Sequence, residues 1–87
     1  MYCIIVYDIS GEKVVKVCHF LRRYMNWIQN SVFEGELTKS QLYNVKTRLK
    51  KIIDTETDTL IIYTINSQKE IAREQIGTSK RSTDRII

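Results

Sequence analysis

Tyr2-Cys3-Ile4-Ile5-Val6-Tyr7 is β-branched, aromatic or otherwise apolar throughout, and Asp8 closes it. Such a run reads as a strand that is apolar on both faces. Thr59–Ile65 reads the same way. Between the two, Ser10 offers a helix cap, and Lys13–Tyr24 follows helical spacing with Val14, Val17, Cys18, Leu21 and Met25 on one stripe. Trp27–Leu37 returns to extended character and contains a short hairpin whose turn the pattern does not place; Gly35 interrupts it. Thr38-Lys39-Ser40-Gln41 has the form of a capping box, and Leu42, Val45, Leu49 and Ile52 follow on one face of a second helix. Asp54–Asp58 is a polar acidic turn, and Lys69–Ile76 reads as a further short strand.

The order is strand, helix, strand pair, helix, strand, then an extension. It predicts an α+β ferredoxin-like βαββαβ sandwich with an antiparallel sheet and a C-terminal strand extension. Residues 1–77 form the domain, and 78–87 a polar arm ending in Ile86 and Ile87. Two helices cover one sheet face. A half-solvated antiparallel strand should alternate, yet Tyr2–Tyr7 and Leu60–Ile65 do not. The second face therefore needs a cover, and a twofold dimer packed sheet against sheet supplies it. The terminal isoleucines then dock on the other subunit; the alternative is a tail folded back on its own chain.

Composition sets limits on function. The chain has 87 residues, 43% hydrophobic and 28% charged, with no proline, which fits one small globular domain with a thin core. Met1–Tyr7 is the longest apolar run, far short of the roughly 20 residues of a membrane span. This stretch lacks the basic n-region expected of a signal peptide. Cys3 and Cys18 are too few for a disulfide scaffold and are expected to be thiols in a reducing cytoplasm. A net charge of +4 permits a polyanionic partner without requiring one.

Asp8 is the first candidate site residue. As a carboxylate at a strand end it serves either as a turn residue or as a Mg²⁺ ligand. One copy is too little for a metal, but a twofold axis could bring two together. The basic residues are the second candidate. Lys13–Phe33 contains Lys13, Lys16, Arg22 and Arg23 with no acid, and Leu37–Ile53 contains Lys39, Lys46, Arg48, Lys50 and Lys51 with none. Lys46 and Lys50 share a helical ridge. Runs of this kind suit a phosphate backbone, or form a solvated face balanced by distant acids. His19 is the sole histidine, so a zinc site is not expected. Ser31 has no base nearby in sequence, and the aromatics read as packing residues.

Val6-Tyr7-Asp8-Ile9 together with Leu21-Arg22-Arg23-Tyr24-Met25-Asn26-Trp27-Ile28-Gln29-Asn30-Ser31-Val32-Phe33-Glu34-Gly35-Glu36-Leu37 closely resembles the CRISPR-associated endoribonuclease family. These are small dimeric proteins that partner the integrase in spacer acquisition. The resemblance implies a homodimer with exchanged C-terminal segments and Asp8 of each subunit at the twofold axis as catalytic residue and Mg²⁺ ligand. Trp27 stands where the family often has arginine, and Met25 or Asn26 where it often has glycine. Two activities follow from the resemblance. One is a Mg²⁺-dependent endonuclease on single-stranded RNA or double-stranded DNA. The other is a non-catalytic scaffold between integrase dimers that grips a DNA duplex through basic side chains, for which the acid-free runs offer Arg22, Arg23, Lys46 and Lys50. The second matches a chain rich in basic residues with one candidate carboxylate and no visible general base. A ribonuclease toxin of related fold and a plain dimeric interaction module are the rivals.

Overall fold

The computed structural model describes residues 1–78. Its elements are β1 (Tyr2–Asp8), α1 (Lys13–Leu21), β2 (Asn26–Gln29), β3 (Val32–Glu36), α2 (Lys39–Ile52), β4 (Thr59–Ile65) and β5 (Ile71–Gly77). The sheet order is β2-β3-β1-β4-β5, and every pairing is antiparallel. The first four strands and two helices make the ferredoxin-like sandwich, and β5 is the strand extension on the β4 edge. The arm expected at 78–87 lies outside the described residues apart from Thr78.

Alternation along β1 builds the core. Cys3, Ile5 and Tyr7 turn inward and are buried. They meet Phe33, Leu60 and Ile62 from the flanking strands, and Val17, Leu21, Val45 and Leu49 from the helices. Each of the large side chains contributes about 1.5–3 kcal/mol by leaving water. The opposite set, Tyr2, Ile4, Val6, Val32, Ile61 and Tyr63, is only half-buried. Cross-strand pairing puts all six on one face, since Ile4 pairs with Tyr63, and Val6 with both Val32 and Ile61. The expected second apolar face is therefore present.

The second helix starts as expected. The Gln41 N–H donates to Thr38 Oγ1 at 3.1 Å, and the Thr38 N–H donates to Gln41 Oε1 at 2.9 Å. The first helix begins at Lys13, as the spacing predicts, but differs in its cap and in its end. Its N-cap is Glu12, without a side-chain cap bond, while Ser10 is drawn toward Asp58 instead. It stops at Leu21, because the Tyr24 and Met25 N–H groups both turn back to the Leu21 carbonyl. Met25 is buried all the same, in the turn beyond the helix.

The hairpin turn is Asn30–Ser31, with Asn30 at a positive φ of 41°. Gly35 does not interrupt its strand. It lies inside β3, where an added Cβ would stand 3.3 Å from Met25 Cα, so the residue permits a close approach of backbones. The last strand begins two residues later than expected. Asn66 Oδ1 accepts from the Gln68 and Glu70 N–H groups and makes a turn through Lys69, whose φ is 65°.

Candidate functional site

Asp8 ends β1 opposite Thr59 and is exposed. It belongs to the same alternating set as Tyr2, Ile4 and Val6, so it stands at one end of the half-buried apolar face. Its neighbour Tyr7 points the other way, with its hydroxyl 3.0 Å from Cys18 Sγ on α1. Burial, then that contact, pushes the Tyr7 phenol above its ordinary range. The central strand is thereby pinned to the helical layer directly beside Asp8.

Sequence reasoning missed the residue that fixes the next loop. Asp58 is the one polar or charged side chain fully buried among the described residues. Asp58 Oδ2 accepts from the Asp54 N–H at 2.8 Å and pairs with Lys13 Nζ at 2.9 Å. Oδ1 accepts from the Ser10 N–H at 3.3 Å. Burial raises its pKa, but the Asp54 N–H, Lys13 and the Ser10 N–H outweigh burial and bring it down to about 2. The carboxylate thus ties the loop after Asp8, the first turn of α1 and the approach to β4 at one point. Gly77, at φ 94°, completes this corner: a Cβ there would collide with the Asp58 carbonyl. Asp58 lies in a polar acidic run, and partners as remote as Ser10 and Lys13 leave no local signal.

One chain offers a metal few ligands. Among the described residues no three His, Cys, Asp or Glu side chains gather as a ligand cluster. Asp8 alone provides one hard oxygen donor group. Mg²⁺ keeps several waters and needs one or two carboxylates, so a pair of Asp8 residues fits it in chemistry and in number.

The basic candidates divide. Arg22 and Arg23 are exposed at the end of α1, and Lys50 is exposed on α2. Lys46 is half-buried and bonds Glu74 Oε1 of β5 at 2.8 Å. The acid-free helix run concealed this partner, which arrives through the sheet: Glu74 pairs with Ile62 and so faces the helices. Arg48 instead lies over the Phe20 ring, 5.7 Å from its centroid. Of the four predicted contacts, Arg22, Arg23 and Lys50 are therefore the exposed ones, and Lys46 and Lys50 do not form a free ridge. His19 is exposed on α1, and Ser31 sits in the hairpin turn, its carbonyl accepting the Tyr7 N–H at 3.0 Å.

On the open face, Tyr2 bonds Glu34, and burial followed by that bond raises the phenol pKa. No helix among the described residues is long and apolar enough to cross a membrane.

The CRISPR associated protein Cas2 family model matches residues 1–72. The CRISPR-associated endoribonuclease Cas2 of Methanosarcina acetivorans is 51% identical over 87 residues, covering 100% of both chains. Its counterpart in Pyrococcus furiosus is 47% identical, again over 100% of both. A crystal structure of Cas2 superposes with a TM-score of 0.69 at 52% identity, over 72% of this chain and 71% of the other.

Proposed function

The chain belongs to the CRISPR-associated Cas2 family, and on that premise we propose that it acts as a homodimer on nucleic acid, cleaving phosphodiesters at a Mg²⁺ held between two Asp8 carboxylates. The observation that carries this reading is the placement of Asp8 at the end of an apolar face that one chain leaves half-buried. Covering that face with a second copy removes Ile4, Val6, Val32, Ile61 and Tyr63 from water and brings the strand ends together in one step. Full-length relatives at 51% and 47% identity carry the name endoribonuclease, which supports RNA as a substrate.

When bound, Mg²⁺ supplies Lewis acidity toward a phosphoryl oxygen and an attacking water. The chain's own contribution is positional. Asp8 of each subunit presents one carboxylate toward the axis. Asp58 holds the loop behind it by fixing Ser10 and Lys13, and the Tyr7–Cys18 contact keeps the strand end seated. Arg22, Arg23 and Lys50 offer charge-assisted donors to phosphates, which position a backbone without reading its bases.

A second reading rests on the excess of exposed cations over candidate catalytic groups. In it the dimer binds a DNA duplex between integrase dimers during spacer acquisition, and the integrase performs the chemistry. Asp8→Asn separates the two. The nuclease reading expects highly purified Asp8→Asn protein to remain folded and to lose Mg²⁺-dependent cleavage of RNA and of duplex DNA. Cleavage at the full rate would remove Asp8 from the site and leave the scaffold reading standing.

A further inference from the structure

The open face is charged as well as apolar. Glu34 of β3 pairs with Ile4, Ile4 pairs with Tyr63, and Tyr63 pairs with Arg73 of β5. The four side chains form one row across the face, with an acid on one flank and a base on the other. Neither charge has an ion-pair partner among the described residues. Among the described residues Arg73 donates to Gln75, at 3.3 Å, and Glu34 takes the Tyr2 hydroxyl.

Symmetry decides where this row lands on a second copy. This step rests on the homodimer proposed above. A twofold axis running across the strands at Asp8 would bring the aspartates together but overlap the sheets only at their ends. An axis running along β1 unites the aspartates and also covers the whole face. It preserves each residue's level along the strand and exchanges left for right. β3 of one subunit then lies over β4 of its partner, next to β5. With strands about 4.8 Å apart and packed sheets about 10 Å apart, a glutamate and an arginine can span the gap.

We propose that Glu34 of each subunit pairs with Arg73 of the other, giving two symmetry-related ion pairs that flank the apolar centre and set the register in which the Asp8 carboxylates meet. The apolar residues supply affinity without direction. An acid flank matched to a basic flank rejects sheets that slip or reverse, because those arrangements oppose like charges or leave charges without partners.

The test uses full-length chains and sedimentation at low salt. Glu34→Arg alone and Arg73→Glu alone each set like charges against one another twice per dimer, and each is expected to weaken self-association about tenfold or more. An equimolar mixture of the two variants restores opposite charges at both contacts. It should form heterodimers with a dissociation constant within about threefold of the wild type. An ion pair within one chain would give no such preference for mixed partners. If a reversal unfolds the chain, Glu34→Gln and Arg73→Gln serve: each weakens the dimer, and the double variant weakens it no further than either one. A wild-type dimer with additive variants and no heterodimer preference overturns this pairing alone. A wild-type chain that stays monomeric at micromolar concentration overturns the dimer and the pairing together.

Discussion

The two faces of the sheet are drawn from the same strands but differ in fate. On the helical side Cys3 and Ile5 are fully buried, and Tyr7 nearly so. One residue out of phase, Tyr2, Ile4 and Val6 remain half-exposed. Hydrophobicity does not separate the sets, since both are apolar. What separates them is that the helices pack over one set, while no helix or strand among the described residues packs over the other. The face that packs within one chain holds the molecule together; the face that does not is where Asp8, Glu34 and Arg73 gather.

The largest effect should come from weakening the covered face. Phe33→Ala removes a fully buried ring stacked on Tyr7 and is expected to cost about 3–5 kcal/mol of unfolding free energy in denaturant titration. Ile4→Ala, one row away on the open face, should cost a subunit far less and should act instead on self-association. Equal losses of folding stability from both would break the contrast between the faces.

Acid should act next, through Asp58. Its pKa falls from 3.8 unfolded to about 2 folded, so its contribution is complete above pH 3.8 and is lost as pH falls through about 2. The difference corresponds to about 2 kcal/mol. Asp58→Asn should flatten the loss of stability below pH 4, measured by unfolding at stepped pH. An unchanged acid limb would mean that the buried carboxylate contributes little.

The smallest effects on folding belong to the exposed cations, whose value lies in binding. Arg22→Glu with Arg23→Glu should leave unfolding nearly unchanged yet weaken duplex binding and reduce its salt slope by about 0.9 for each phosphate no longer neutralised. Lys46→Met should alter binding less, because its ammonium already pairs with Glu74, and should cost at most about 1 kcal/mol of stability. Equal binding losses from both changes would return Lys46 to the interface.

Local physics is legible in the sequence and remote partnership is not. Thr59–Ile65 and the Thr38–Gln41 capping box stand where the pattern puts them, because β-branching and cap spacing act within a few residues. The doubly apolar strands also announce the uncovered face. Ser10 has the chemistry of a helix cap but serves Asp58, and Lys46 sits in an acid-free run but meets Glu74. In both cases the deciding partner is brought in by the tertiary fold from far along the chain. Asp8 is legible as a strand-end carboxylate, whereas the groups that steady the loop behind it are not.

The strand at the centre of the sheet is the first of the five to be synthesised. β1 finds its neighbours only when β3 and then β4 have emerged, and Tyr2 must finally join Ile65. Until then a greasy, sticky ribbon waits with at least one edge unpaired. Sheet completion late in translation makes this a long-range, slow-closing topology, and its most aggregation-prone segment is the one that waits longest.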